Sequence, residues 1–187
     1  MSWTHVPLAS VILEARPGFA SGEDLDDGLF QIRMNNITRE GSLDLNRRRR
    51  VGAEGRKMES LLLKPGDVLF NATNSPDLVG KSAHIDSIDE ATTYSNHFIR
   101  LRTDPLRLNA LYLSQWLHRQ FQSGKFKGLC KQWVNQASIS KDALLGLKIP
   151  LPPLPEQSRI AAILDKAHAL RAKRRAALAE LDGLAQA

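Results

Sequence analysis

Hydrophobic residues in the first 150 positions fall into short segments of the length typical of β-strands. Residues 29–32 and 68–70 are mostly apolar, whereas residues 82–85 and 97–101 alternate between polar and apolar side chains. Segments rich in glycine, asparagine and charged residues separate them, including a glycine- and acid-rich stretch at 18–28. The pattern predicts a mixed domain in which several short strands share one core.

A different periodicity marks residues 109–122. Apolar side chains recur there at spacings of three and four residues, which predicts an amphipathic helix, and Gly124 is placed to end it. The apolar positions are Leu111, Leu113, Trp116, Leu117 and Phe121.

A second, shorter helix is predicted near the end of this region. Ser140 has a side chain suited to capping a helix that runs through Leu145, and Gly146 is placed to stop it. Residues 147–149 then read as the last strand of the domain.

The proline-rich segment at 149–155 excludes both helix and central sheet, because each proline lacks an N–H and fixes its own φ. We expect a stiff, extended arm. Pro155 suits the first turn of a following helix, and Glu156 lies where the helix dipole favours negative charge.

The segment after Pro155 predicts one long helix, about 40 Å in length to Asp182 at 1.5 Å per residue. We divide the chain into a domain at 1–150 and a hinge with its helix at 151–187. The helix carries an apolar stripe interrupted once by Arg174, and such a stripe needs a second helix, unless the helix folds back on its own domain. The stripe comprises Ile160, Ile163, Ala167, Leu170, Ala177, Leu181 and Leu184.

Charge favours a polyanionic partner. The net charge is +6 and the pI about 9.7, which suits nucleic acid first and an anionic membrane second, although a plain solvated surface gives the same balance. The single cysteine, Cys130, excludes a disulfide within one chain and fits a cytoplasmic setting. No apolar run is long enough to span a bilayer, and residues 1–5 do not resemble a signal peptide.

Familiar catalytic motifs are missing from the sequence. Gly80-Lys81-Ser82 lacks the glycine that a phosphate-binding loop needs five residues earlier, where Ser75 stands. Asp77 has no acid-x-lysine partner of the kind nucleases use, and the five histidines form no zinc motif. The sequence therefore gives no support for an enzyme and predicts no cofactor and no metal.

Three polar clusters carry the side chains best suited to reading bases. Asparagine and glutamine pair with adenine and arginine with guanine, while lysine, serine and threonine more often hold phosphates. Taken singly, each cluster fits an ordinary loop better than a base-reading surface, and the four arginines at 47–50 fit a solvated or phosphate-facing loop. The candidates are Arg33, Asn35, Asn36 and Arg39; Asn71, Thr73, Asn74, Ser75 and Lys81; and Lys131, Gln132, Asn135, Gln136 and Ser138.

The C-terminal segment resembles a known family. Residues 147–157 (LKIPLPPLPEQ) and 159–165 (RIAAILD) are similar to the end of a target recognition domain in Type I restriction–modification specificity subunits. Weaker similarities lie at 66–70 (GDVLF), 79–81 (VGK), 96–102 (NHFIRLR) and 136–140 (QASIS).

The resemblance implies a globular α/β (α+β) target recognition domain that binds one half of a split DNA site. It implies that the helix is a spacer that pairs with another copy as an antiparallel coiled coil, through Ile160, Ile163, Ala167, Leu170 and Leu181. The implied partners are double-stranded DNA, a methylation subunit acting on adenine N6 and a restriction subunit, and no membrane. Their S-adenosylmethionine and ATP would not bind this chain.

The family pattern has two recognition domains and two helices, and this sequence has one of each. A half-size subunit acting as a homodimer and a piece of a two-domain subunit both remain open. Two other functions remain as alternatives: an interaction module that binds the methylation subunit without reading DNA, and a divergent nuclease that uses Asp67 or Asp77.

Overall fold

The computed structural model describes residues 3–22, 24–52, 58–134 and 136–185. Twelve strands and three α-helices are formed by these residues, and short 3-10 turns lie at Leu8–Ser10, Met34–Asn36, Met58–Ser60 and Lys125–Gly128. In chain order the strands are β1 His5–Pro7, β2 Ile12–Pro17, β3 Leu29–Ile32, β4 Arg50–Val51, β5 Val68–Asn71, β6 Thr73–Asn74, β7 Ser82–His84, β8 Thr92–Tyr94, β9 Phe98–Thr103, β10 Lys131–Gln132, β11 Ala137–Ser138 and β12 Lys148–Pro150. The helices are α1 Ala110–Gln122, α2 Lys141–Leu145 and α3 Leu154–Ala185.

An antiparallel sheet in the order β2-β9-β5-β7 forms the centre of the domain. Successive side chains along a strand point to opposite faces, so each strand contributes to two cores. Phe70 and Ile99 lie in one core, whereas their neighbours Leu69 and Phe98 lie in the other. The predicted strands at 29–32, 68–70, 82–85 and 97–101 are confirmed.

One face of the central sheet is covered by a small sheet in the order β4-β3-β8, in which β3 and β8 run parallel. Phe30 and Ile32 from β3 and Tyr94 from β8 are buried against this face. This sheet fixes the position of the loop that follows β3, which carries the first predicted polar cluster.

Helix α1 covers the other face, as its apolar periodicity predicts. Leu113 and Leu117 are fully buried there, and Asn109 caps the helix by accepting a hydrogen bond from the backbone N–H of Tyr112 (2.9 Å). Gly124 follows with a φ of +75°, a left-handed conformation that glycine adopts without steric cost.

The two ends of the domain meet in a two-stranded sheet. Strand β1 pairs with β12, and the Leu151 N–H donates to the Thr4 carbonyl (2.9 Å), so the proline arm starts beside the N-terminal strand. Ser140 caps α2 by accepting from the Ala143 N–H (3.2 Å), and Gly146 ends that helix, as predicted.

Helix α3 begins at Leu154, one residue before Pro155, and has 32 residues. At 1.5 Å per residue its length is about 48 Å. Its first turns pack against α1 through Gln157 and Ala161, which are buried, while most side chains from Ala169 onward are exposed. The chain therefore has the mixed α/β domain and the long C-terminal helix that the sequence predicts.

Candidate nucleic-acid interface

A small three-stranded sheet brings two of the predicted polar clusters together. Strand β11 lies between β10 and β6, with Lys131 opposite Ser138 and Ser138 opposite Thr73. The neighbouring row consists of Gln132, Ala137 and Asn74. Clusters that are distant in the sequence therefore share one surface.

Alternation along the strands decides which row faces outward. Ala137 is fully buried in the core beneath α1, so its row faces inward at β11 and the row of Thr73, Ser138 and Lys131 faces outward. At the β10 edge of the sheet, Gln132 is exposed although it belongs to the row of Ala137. The same alternation places Gln136 and Trp133 on the outward side. We call these five residues (Thr73, Lys131, Trp133, Gln136 and Ser138) the outer face. Apart from Trp133, its side chains are of the kinds that hold phosphates and pair with base edges.

Asn71, predicted as a base reader, is a structural residue instead. Its side chain is fully buried and donates to the carbonyls of Thr73 (3.1 Å) and His97 (3.2 Å). It also accepts a hydrogen bond from the side chain of the half-buried Asn74 (2.5 Å), so both amides are used in shaping the turn before β6. We correct the prediction for Asn71 because no part of its amide reaches the surface.

The prediction that Lys81 contacts DNA is likewise corrected, because this residue is buried and binds the backbone of a neighbouring loop. Its side chain is buried, and its Nζ donates to the backbone carbonyls of Met34 (2.9 Å) and Ile37. Burial, and secondarily the charge of Arg39, lowers the pKa of Lys81. The preceding Gly80 has a φ of +93°, and a Cβ there would lie 2.2 Å from the Phe126 ring. The 79–81 motif therefore fixes the loop after β3 to the central sheet.

Asn36, a third predicted base reader, is fully buried in that loop. Its Oδ1 accepts from the Arg33 N–H (2.9 Å), and its Nδ2 donates to the carbonyls of Asp44 (2.8 Å) and Arg47 (2.8 Å). The adjacent Asn35 is exposed, Arg33 is half-buried, and both stay candidates for contact with DNA.

The neighbouring asparagines allow a matched comparison. We expect Asn36→Ala to lower the free energy of unfolding by about 1–3 kcal/mol, because three backbone groups lose their partner. Asn35→Ala should change it by less than about 0.5 kcal/mol, because its side chain is exposed. Urea titration of both variants measures the difference. Equal stability of the two variants would contradict the structural role given to Asn36.

The arginine run at 47–50 is partly used within the domain. Arg48 and Arg50 both pair with Glu90, the latter at 2.6 Å. The hydrogen bond from Arg50 is the main cause that lowers the pKa of Glu90. Two of the four arginines thus already have a carboxylate partner, so fewer guanidinium groups of this run remain for contacts with phosphates.

A cleft of about 1210 Å³ lies between α3 and the domain. Basic side chains on its walls outnumber the two acidic ones, Glu40 and Asp77, and the latter pairs with Lys127 (2.6 Å). His118 lies in this cleft with its ring 5.3 Å from that of His168, and burial, followed by the charge of His168, lowers the pKa of His118. The basic residues of the cleft are Arg39, Lys127, Arg171, Arg174 and Arg175.

The two carboxylates considered for nuclease chemistry both form ion pairs with basic side chains. Asp67 is buried and pairs with Arg102 (2.7 Å), and Asp77 pairs with Lys127. In the part of the chain that the structure describes, no three metal-ligating side chains of the His, Cys, Asp or Glu type lie together. No helix among the described residues is long and apolar enough to cross a membrane.

Side chains along helix α3 point in two directions, one toward the domain and one toward solvent. Gln157, Ala161 and His168 face the domain, whereas Ile163 and Leu170 are 56% and 68% exposed. At about 100° per residue, Ile163 and Leu170 lie within about 20° of each other and roughly 140–160° from the middle of the domain side. Ala177 and Leu181 are also exposed, while Ile160 and Ala167 lie half-buried between the two directions. We call Ile163, Leu170, Ala177 and Leu181 the seam; the side chain of Leu184 lies outside the described residues.

Several residues of the outer face and of the cleft were not nominated from the sequence. Trp133 and the cleft residues Lys127, Arg171 and Arg175 belong to no predicted cluster. One signal was present for Trp133 and Lys127: between Asp104 and Asp142 the sequence has no acidic residue. Asn135, which the sequence does nominate, lies outside the described residues.

The sequence of this chain is similar to those of specificity proteins from Type I restriction systems. A family profile described as "Type I restriction modification DNA specificity domain" matches residues 51–180. The sequence is 31% identical over 165 residues to a putative type I restriction enzyme MjaX specificity subunit from Methanocaldococcus jannaschii, a match that covers 87% of this chain and 38% of that protein. This chain thus spans well under half the length of that curated relative.

Solved structures share the fold. The HsdS subunit from Thermoanaerobacter tengcongensis is 26% identical with a TM-score of 0.61, over 94% of this chain and 40% of that one. A chain from work described as "complex assembly and conformational transition of the type I R-M system" superposes with a TM-score of 0.70 at 24% identity, over 96% of this chain and 41% of that one. The protein described here belongs to the family of Type I restriction modification DNA specificity domains.

Proposed function

We propose that this chain is a sequence-specific DNA-recognition unit of a Type I restriction–modification complex. It binds one half of a bipartite site and recruits the methylation and restriction subunits, and it performs no catalysis itself. The methylation it directs is at adenine N6, with the cofactors held by other subunits. We place the recognition domain at 1–150, the hinge and helix at 151–187, and the activity in the cytoplasm.

The outer face is the observation that carries this proposal. It combines Lys131, Ser138 and Thr73, which suit phosphates, with Gln136, which suits adenine, on one rigid sheet. Exposed Gln132, Asn35 and half-buried Arg33 supplement it, and Asn135 stays a candidate. A two-stranded β-ribbon such as the β10–β11 hairpin fits the major groove of B-form DNA.

Binding to duplex DNA should depend steeply on salt. Each phosphate neutralised releases counterions, so log K should fall linearly with log salt concentration, with a slope of about −0.9 per phosphate contacted. Fluorescence anisotropy of a labelled random-sequence duplex over a salt series measures this slope. A slope near zero would contradict the proposed phosphate contacts.

We propose that the seam pairs with the seam of a second copy as an antiparallel coiled coil, with Ile160 and Ala167 at its margin. Two copies related by a two-fold axis would present two identical recognition domains to inverted half-sites. Apolar side chains exposed at spacings of seven residues support this pairing, because the described part of the domain leaves more than half of Ile163, Leu170 and Leu181 uncovered.

Charge placed on the seam should separate such a pair. We expect Ile163→Asp combined with Leu170→Asp to convert a dimer into a monomer, because two pairs of carboxylates would be desolvated in the interface. The control, Ala162→Asp with Ala169→Asp, adds the same charges at the same spacing on exposed positions roughly 100° away and should remain dimeric. Light scattering over a concentration series measures both, and an unmodified chain that is monomeric throughout would contradict self-pairing.

The exposed seam also supports a second candidate function, an interaction module that binds the methylation subunit without reading DNA. The two functions differ in one measurable respect. Co-purification with the methylation subunit together with equal affinity for all duplexes would favour the interaction module.

A further inference from the structure

The tip of the β10–β11 hairpin exposes two large apolar side chains to solvent. Trp133 is 58% exposed and Val134 is 98% exposed, the highest fraction among the large hydrophobic side chains that the structure describes. Trp133 closes the hairpin by donating its N–H to the Gln136 carbonyl (2.7 Å). Because more than half of its side chain is exposed, Trp133 does not fill the core of the domain.

Hydrogen bonds and core contacts hold the hairpin that carries these side chains. Strand β11 is bonded on both sides, to β10 and to β6, and Ala137 and Ile139 anchor it in the core. The Ile139 N–H donates to the Ala72 carbonyl (2.9 Å), which fixes the base of the hairpin to the strand region before β6. A rigid aromatic side chain loses little conformational entropy when a ligand covers it.

The stretch of sequence that contains the tip is basic. Between Asp104 and Asp142 it holds six basic residues and no carboxylate: Arg107, Arg119, Lys125, Lys127, Lys131 and Lys141. Of these, Lys131 lies two residues from Trp133 and on the same face of the sheet. An apolar tip with a cationic side chain beside it suits DNA, whose phosphates flank the apolar faces of its bases.

We propose that Trp133 and Val134 form an apolar wedge that enters the duplex and packs against the bases of the recognised site. Phosphates offer an aromatic ring no apolar surface, so the bases are the part of DNA that the tip would cover. Apolar side chains inserted at base steps, and aromatic rings stacked on bases, are established ways in which proteins use such contacts. Lys131 and Ser138, behind the tip on the outer face, would hold the flanking phosphates.

This inference rests on the proposed DNA-recognition function and goes beyond the polar contacts assigned above. It predicts that part of the affinity is independent of salt, since an apolar contact releases no counterions. It also predicts a preference for steps that deform easily, because a wedge must partly unstack its site.

The test compares Trp133→Ala with Lys131→Ala, using the full chain, its selected target duplex and a scrambled duplex. Trp133→Ala should weaken target binding by roughly 10- to 100-fold with an unchanged salt slope. Lys131→Ala should weaken binding to both duplexes alike and reduce the salt slope by about one. Trp133→Phe should retain part of the affinity, and all three variants should unfold at nearly the same temperature as the parent chain, because these side chains are exposed.

Each outcome decides between alternatives. Target binding by Trp133→Ala equal to that of the parent chain would overturn the wedge and leave the DNA-recognition function in place. Equal DNA binding with loss of the methylation subunit in co-purification would overturn it in favour of a protein-docking tip. A parent chain that does not distinguish target from scrambled duplex would contradict the proposed function itself.

Discussion

Replacing Arg100 with leucine is expected to lower the free energy of unfolding by about 3–5 kcal/mol, because it breaks a buried ionic network. The Arg100 side chain is fully buried and its Nη2 lies 2.8 Å from an Oε atom of Glu14. Its Nη1 donates to the carbonyls of Ser60 (3.1 Å) and Leu62 (3.0 Å). Leucine would leave these carbonyls and the Glu14 carboxylate with fewer partners, and urea titration with an unchanged m-value would report the loss.

Arg16→Leu is the matched control. Arg16 also pairs with Glu14 (2.7 Å), but 44% of its side chain is exposed. Solvent screens such a pair, so we expect a loss below about 1 kcal/mol. Similar losses in the two variants would contradict the assignment of Arg100 as the centre of the network.

The same network has a pH dependence of known sign. Burial alone would raise the pKa of Glu14, but the hydrogen bond from Arg16 and the charges of Arg100 and Arg102 lower it overall. A carboxylate with a lowered pKa stabilises the folded state fully above its ordinary value of 4.5, and this contribution is lost as the pH falls through the lowered value. The network is therefore expected to weaken only in acid.

Replacing Gln157 with leucine should cost about 2–4 kcal/mol, because three backbone groups lose a buried partner. Its Nε2 donates to the carbonyls of Arg107 (2.9 Å) and Pro152 (2.8 Å), and its Oε1 accepts from the Asn109 N–H (2.8 Å). One amide thus joins the start of α3 to the proline arm and to the cap of α1. This amide explains physically why the glutamine follows the proline segment: it fixes the direction in which the helix leaves the domain.

The adjacent residue provides the control for Gln157. Ser158 is exposed, so Ser158→Ala should change the unfolding free energy by less than about 0.5 kcal/mol. Thermal and urea unfolding of the two variants measure the contrast. A Gln157→Leu variant as stable as Ser158→Ala would contradict the role given to this amide.

The sequence predicted those helices and strands that are determined by caps or by an apolar periodicity within their own residues. The helix after Asn109, the short helix after Ser140 and the strand at 68–71 each have a cap or an apolar periodicity of their own. The long helix followed from its proline start and the spacing of its apolar residues. The β6 and β11 strands have two residues each, too few for any period, so their pairing could not be predicted.

The polar clusters were predicted as groups but not residue by residue. Asn36 and Asn35 are the same residue type at adjacent positions, yet one is buried and the other exposed. What separates them is contact with Asp44 and Arg47, whose distance from Asn36 depends on the folded loop. Lys81 is a similar case, because the carbonyls that bury it come from residues 34 and 37. Trp133 was not nominated because the candidate clusters were chosen for their polar side chains.

Selection of bound duplexes from a random-sequence pool, by the full chain together with its methylation subunit, would measure whether this chain reads DNA sequence. We expect enrichment of one short defined sequence, bound at least about 10³-fold more tightly than random DNA. If the chain pairs with a second copy, that sequence should occur twice, inverted and separated by a fixed spacing. A bound pool with the same base frequencies as the starting pool would contradict the proposal that this chain reads DNA.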